Sequence, residues 1–220
     1  MYKFAVFDLD GTLANTLEDL ANAVNYALEK NGYEKYPVNT YKQMVGSGVV
    51  NLIKRAIKSD DEKIVKAVKT DFDMFYSTHV LDTTCAYPGG YDMLVNLQKN
   101  GVILAVLSNK PHSFVSIILE NLYPKVEFKA SWGKKEGYAI KPDPHSLNAL
   151  LDEIGADKDN TVYVGDSNVD VYTAKNGGVD FIGCAWGFRG EKELISAGAD
   201  AEQIAYTNQE LQQLIMGGKP

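Results

Sequence analysis

The sequence predicts an α/β fold: a Rossmann-like parallel-sheet core with a small all-helical cap inserted after the first strand. Three observations predict it. Short apolar runs alternate with helix-period segments from about residue 88 onward. A lone apolar run, KFAVFDL, stands near the start. Between Thr16 and about Val80 no stretch reads as a strand.

KFAVFDL is nearly continuous in apolar residues, as a strand covered on both faces requires. After DGTLANT the period changes. Leu17, Leu20, Ala21, Val24 and Leu28 recur at three- and four-residue spacing, one face of a helix, and NGY ends it. GSGVVNLIKRAI reads as a Gly-rich turn into a second helix, and DDEKIVKAVKTDFDMFYSTHV as one or two more. These helices form a cap of residues 15–82. Residues 1–14 and 83–220 form the core, which restarts at Pro88-Gly89-Gly90.

The core then alternates. YDMLVNLQK is a helix, VILAVLSN a strand, KPHSFVSIILENLY a helix and FKASW a short strand. In DPHSLNALLDEIG, Leu147, Leu150, Leu151 and Ile154 fall in helical register. TVYVGDS is a strand, NVDVYTAKNGG a helix and VDFIGCAWG a strand. TNQELQQLI begins with a Thr207–Glu210 capping box.

Composition narrows the function classes. The 220 residues carry 22 basic and 29 acidic side chains, a formal charge of -7, which argues against nonspecific nucleic-acid binding. No apolar run approaches the ~20 residues of a membrane span, and the opening stretch lacks the build of a secretory leader. Cys85 and Cys184 are too few for a disulfide framework, and Cys184, within FIGCAW, is expected in the core. A cytoplasmic location is the expectation.

In an open α/β sheet, ligands bind beyond the carboxyl ends of the strands. Four polar clusters fall at such ends or on neighbouring loops: Asp8 with Asp10, Ser108 with Asn109, Lys141, and Asp166 with Asp170. A carboxylate can attack phosphorus when the phosphoryl charge is neutralised, so Asp8 is the candidate nucleophile. Asp10, two residues on, is placed to protonate the leaving oxygen and later to accept a proton from water. Gly11 permits a tight turn that brings backbone N–H groups to the phosphoryl oxygens, and Thr12 caps it.

Several acids and a phosphate in one pocket need a cation, and carboxylates of this kind favour Mg²⁺. Asp8 and Asp166 are the expected side-chain ligands and the Asp10 carbonyl a backbone one. Asp170 is either a direct ligand or an outer partner. Ser108 can donate to a phosphoryl oxygen, aided by the Asn109 backbone. Lys141, on a loop stiffened by Pro142 and Pro144, can neutralise a phosphoryl oxygen or Asp8. It is preferred over Lys110 for this role. His79, His112 and His145 show no ligand spacing, and Ser167 lies in no GxSxG elbow.

These clusters resemble the haloacid dehalogenase-like hydrolase superfamily, nearly end to end. DLDGT resembles its first motif, LSN its second, the lysine of KPDP its third and GDSNVD its fourth. The inserted helices resemble its small C1-type cap. The resemblance implies a Mg²⁺-dependent phosphatase working through an aspartyl-phosphate. Asp10 supports this over the dehalogenases, which lack an acid there because halide needs no protonation. MVGSGVVNLIKRA and AWGFRG…LISAGAD resemble phosphoglycolate phosphatases, implying 2-phosphoglycolate as substrate and a cap that selects it. Gly46, Gly48 and Arg55 are expected along that side, and Arg189 near a distal carboxylate.

A pyrophosphatase, a broad-range sugar phosphatase, a β-phosphoglucomutase-like enzyme and a noncatalytic phosphometabolite-binding protein remain as alternatives. The expected partner is a small phosphorylated metabolite, with no nucleic acid and no membrane, bound by a monomer or homodimer.

Overall fold

A computed structural model describes residues 1–217. In chain order its main elements are β1 (Phe4–Phe7), β2 (Ala14–Asn15), α1 (Leu17–Lys30), α2 (Val49–Ile57), α3 (Glu62–His79), β3 (Cys85–Ala86) and α4 (Gly90–Lys99). There follow β4 (Ile103–Pro111), α5 (His112–Leu122), β5 (Phe128–Lys134), α6 (Pro144–Ile154) and β6 (Thr161–Gly165). The chain continues with α7 (Asn168–Gly177), β7 (Asp180–Cys184), α8 (Glu191–Ser196), β8 (Ile204–Ala205) and α9 (Asn208–Gly217).

The main sheet runs β5–β4–β1–β6–β7–β8, and every pairing in it is parallel. β1 lies between β4 and β6, so three strand ends that carry polar motifs are neighbours. All four β1 residues are buried. Ala5 and Phe7 join the larger core with α4, α5 and α9, while Phe4 and Val6 face α6. The predicted α6 stripe is buried throughout. Full burial of each such leucine or isoleucine stabilises the fold by about 1.5–3 kcal/mol relative to exposure.

The cap is α1–α3 with a 3₁₀ turn at Val38–Gln43. The stretch read as one or two helices is the single helix α3, capped at Asp61, whose carboxylate accepts from the Lys63 and Ile64 N–H groups. Leu20, Val24 and Leu28 pack with Leu52, Ile53, Val68 and Phe72 in a cluster continuous with the core. The cap's stem is a two-stranded antiparallel ribbon, with Ala14 opposite Ala86 and Asn15 opposite Cys85. Buried Asp19 ties the stem together, accepting from the backbone and hydroxyl groups of both Thr83 and Thr84 at 2.6–3.1 Å.

The structure corrects the sequence reading in detail. β5 continues past FKASW to Lys134, because Lys134 pairs with Pro111 of a longer β4. α8, β8 and the stem ribbon were not anticipated. They are two to six residues long, too short to carry a period.

Candidate active site

Asp8 follows β1 directly, and its N–H donates to Val164 of β6. Strand pairing therefore carries the carboxylate to the carboxyl edge of the sheet. Asp166 follows β6, and Ser108 and Asn109 lie near the end of β4. Lys141 arrives on the loop before α6 and is held there by Asn109. The Asn109 Oδ1 accepts from Lys141 N at 2.8 Å, and its Nδ2 donates to the Lys141 carbonyl at 3.0 Å.

Lys141 is the electrostatic centre. Its Nζ lies 2.9 Å from Asp8 Oδ1 and 2.7 Å from Asp170 Oδ1, and donates to the Tyr163 hydroxyl at 2.9 Å. The Tyr163 hydroxyl in turn donates to the Leu107 carbonyl at 3.0 Å. Burial works against the Lys141 charge, but the carboxylates of Asp170 and Asp8 hold its pKa well above the ordinary lysine value. Asp170 is fully engaged: Oδ1 takes Lys141, and Oδ2 accepts from the Ser167 N–H and hydroxyl in a capping box.

Asp166 accepts from Phe188 N at 2.7 Å. Burial, reinforced by Asp170 and Asp8, pushes its pKa well above the carboxylate range against that bond. Two glycines make room for it. A β-carbon on Gly11, whose φ is +90°, or on Gly187 would collide with the Asp166 side chain. Gly11 thus cradles Asp166. Thr12 is buried, its hydroxyl has no hydrogen-bond partner among the described residues, and its carbonyl accepts from Trp186 Nε1.

Asp10 occupies the turn beyond Asp8. Its Oδ1 accepts from both the Thr16 hydroxyl at 2.6 Å and Lys110 Nζ at 2.9 Å. Lys110 is buried, which works against its charge, but Asp10 and Tyr76 hold its pKa above the ordinary value. The sequence reading preferred Lys141 over Lys110. The structure uses both, one beside each acid of DLDGT.

Asp8, Asp166 and Asp170 offer carboxylate oxygens within 4.8 Å of one another. Lys141 Nζ, at 2.9 Å, is the partner of Asp8 Oδ1, and no other donor reaches this buried oxygen among the described residues. Burial pushes the Asp8 carboxyl up to about 7; Lys141 opposes the rise, while Asp170 and Asp10 add to it. Counted with every group ionised, four aspartates and two lysines leave the cluster two positive charges short of neutrality. An all-oxygen donor set with that deficit fits a hard divalent cation. Cys184 is not among the residues whose ligand atoms meet here; burial, then Asp166 and Asp170, push its thiol well above the usual value.

A cleft lies between core and cap, lined by Asp8, Asp10, Ser108, Lys110, Gly46 and Tyr76 among others. Gly46 and Gly48 border it as expected. The arginines do not. Arg55 donates to the Met44 carbonyl and the Ser47 hydroxyl within the cap. Arg189 reaches from the core to Gln43 Oε1 at 2.5 Å and the Val45 carbonyl at 2.9 Å, and pairs with Glu193. The expected carboxylate readers hold the cap loop instead. Among the residues missed from sequence, Tyr163 and Thr16 gave only position relative to the motifs as a signal. Gly187 gave none, because the Asp166 contact that needs it is remote in sequence.

The haloacid dehalogenase-like hydrolase family model matches residues 5–184. A phosphoglycolate phosphatase of Rhodospirillum rubrum is 34% identical over 207 residues, covering 90% of this chain and 86% of that protein. One from Pseudomonas fluorescens is 33% identical over 193 residues, covering 84% and 70%. A Lactobacillus delbrueckii subsp. bulgaricus structure, provisionally named a phosphoglycolate phosphatase, superposes with a TM-score of 0.91 at 34% identity, covering 97% and 98% of the two chains. The chain belongs to the haloacid dehalogenase-like hydrolases, in their phosphoglycolate phosphatase-like branch. Its activity is accordingly that of a phosphoric monoester hydrolase. Among the described residues no helix is long and apolar enough to cross a membrane.

Proposed function

We propose that this chain is a Mg²⁺-dependent phosphatase that hydrolyses a small phosphate monoester through an aspartyl-phosphate on Asp8, with 2-phosphoglycolate as its substrate. The core is residues 1–14 and 83–220, of which 218–220 lie outside the described residues, and the cap, residues 15–82, selects the ester. The observation that carries the reading is the Asp8–Lys141–Asp170 chain beside Asp166, with Asp10 one turn away in the same cleft.

Asp8 and Asp166, with the Asp10 carbonyl, would hold the ion. When bound, the ion offsets the negative charge of the phosphoryl group and the aspartates. Asp170 is the outer partner, since Ser167 and Lys141 already occupy its oxygens. Asp8 attacks phosphorus, the P–O bond to the ester breaks, and Asp10 protonates the departing oxygen. Because Asp10 Oδ1 is held by Thr16 and Lys110, Oδ2 carries the proton. Asp10 then takes a proton from the water that attacks the aspartyl-phosphate, releasing phosphate and restoring Asp8.

Ser108 Oγ accepts from Lys110 N at 3.3 Å, so its own hydroxyl proton is available to a phosphoryl oxygen. The Gly11 and Asn109 backbones border the same group. Two free cysteines, one of them buried, suit a cytoplasmic setting.

The test is phosphate release from 2-phosphoglycolate, pyrophosphate and sugar phosphates, with Mg²⁺ and with chelator, beside Asp8→Asn. Metal-dependent turnover that Asp8→Asn abolishes is expected, with 2-phosphoglycolate preferred. Equal rates on many esters would refute the substrate, and no release from any of them would refute the hydrolase.

A further inference from the structure

Tyr76, on the cap helix α3, reaches into the cleft that holds Asp8 and Asp10. Its ring is fixed between Phe72, stacked at 5.3 Å, and the edge of core residue Phe114 at 4.9 Å. Lys110 Nζ lies 4.9 Å from the ring centroid. The tyrosine is fully buried; Lys110 is the polar neighbour of its oxygen, and its O–H proton has no acceptor among the described residues. Leaving a buried hydroxyl unmade is costly, and phenylalanine would fill the same space without that cost. Burial, opposed by Lys110 and reinforced by Asp10, pushes the phenol up to about 12, so it stays a hydrogen-bond donor at neutral pH.

Lys110 has donors to spare. An ammonium carries three N–H bonds; Lys110 Nζ donates to Asp10 Oδ1 and faces the Tyr76 oxygen, which leaves a donor over. Phenol and ammonium therefore form a donor pair on the cap side of Asp10, where the leaving group of an ester attacked by Asp8 must lie. The rest of that wall is apolar, from Leu20, Val45, Val49 and Leu52. Such a wall binds a short carbon chain, and the donor pair suits one oxyanion at its end.

We infer that Tyr76, with Lys110, reads the leaving group of the substrate: the Tyr76 hydroxyl donates to a carboxylate carried within a carbon or two of the ester oxygen. This deepens the proposed function and rests on it. It moves substrate selection from Arg55 and Arg189, which are engaged with the cap loop, to a residue that crosses into the cleft.

The test is Tyr76→Phe, compared on 2-phosphoglycolate and on ethyl phosphate, which lacks the carboxylate. Removing one hydrogen bond to a charged group should lower kcat/KM for 2-phosphoglycolate roughly 10- to 100-fold. Ethyl phosphate should change less than about 2-fold, since its leaving group offers no carboxylate to the hydroxyl. Ligand-free Tyr76→Phe should melt no lower than the parent. A parallel loss on both esters, or a lower Tm, would show that the hydroxyl is structural and overturn the inference.

Binding separates this from failure of the hydrolase reading. In an Asp8→Asn background with Mg²⁺, calorimetry should show 2-phosphoglycolate binding more tightly than ethyl phosphate, and Tyr76→Phe should erase the difference. If the parent turns over neither ester, the hydrolase reading fails, while this binding difference still decides the role of Tyr76. No difference, or no binding of either ester, overturns it.

Discussion

Lys141→Met tests whether one ammonium holds the acidic cluster together. Its Nζ lies 2.9 Å from Asp8 and 2.7 Å from Asp170, with 2% of the side chain exposed. Methionine keeps most of the volume and removes the charge. Removing one partner of a buried ion pair costs about 3–5 kcal/mol. Here it also leaves three carboxylates with oxygens within 4.8 Å of one another. At an effective dielectric of about 20, two unit charges at that distance repel by about 3.5 kcal/mol. Proton uptake limits this repulsion, because burial already raises Asp8 to about 7. The loss in chelator should therefore stay near 4 kcal/mol, within the range of about 3–5 for a broken buried pair. At about 2–4 °C per kcal/mol for a chain of this size, Tm should fall by roughly 8–16 °C.

Thermal unfolding followed by circular dichroism, in chelator and in excess Mg²⁺, measures the loss. Mg²⁺ should recover part of it by supplying positive charge. Asp170→Asn in the same background completes a double-mutant cycle, with an expected coupling of about 1–3 kcal/mol. An unchanged Tm in chelator, or strict additivity, would refute the placement of Lys141 as the cluster's counter-charge.

Three further perturbations probe other parts of the site. Arg189→Ala removes the donors to Gln43 and Val45, and should raise KM several-fold and speed amide exchange in residues 38–48, with kcat little changed. Gly187→Ala drives a β-carbon into Asp166 and should weaken Mg²⁺ affinity roughly 10- to 100-fold, read by calorimetry. The Asp8 pKa is raised on folding, from 3.8 to about 7, so the folded state holds the proton more tightly than the unfolded chain. Metal-free stability should therefore decline as pH rises across that window, and the Tm gain from Mg²⁺ should grow over it; equal gains at pH 4 and pH 8 would contradict the assignment.

The candidate site acids were legible because each follows an apolar strand whose burial on both faces fixes where it ends. Asp8 and Asp166 follow β1 and β6, and parallel register places them side by side. The α1 and α6 stripes were legible because their periods run over several turns. What sequence hid is contact made across the chain. Lys110 reads as a turn lysine until Asp10, a hundred residues away, is seen beside it. Arg55 and Arg189 read as anion binders until the carbonyls of the cap loop occupy them. Tyr76 sits in a helix where an aromatic residue needs no explanation beyond packing, and only a buried hydroxyl proton without an acceptor marks it out.

Asn109 shows how the two halves of the site are coupled. Its carboxamide clamps the Lys141 backbone, and the same Nδ2 also donates to the Gly46 carbonyl of the cap at 2.9 Å. Were the cap to open, the Gly46 bond would break while the clamp on Lys141, made within the core, would remain. The counter-charge for Asp8 would then be preorganised with or without the cap, while the Tyr76 donor depends on the cap's present position. On the proposed function, chemistry would reside at the sheet edge and selection in the cap. Asp8→Asn should accordingly abolish turnover of every ester alike, whereas Tyr76→Phe should change only which ester is preferred. A Tyr76→Phe protein that lost all activity would break that division.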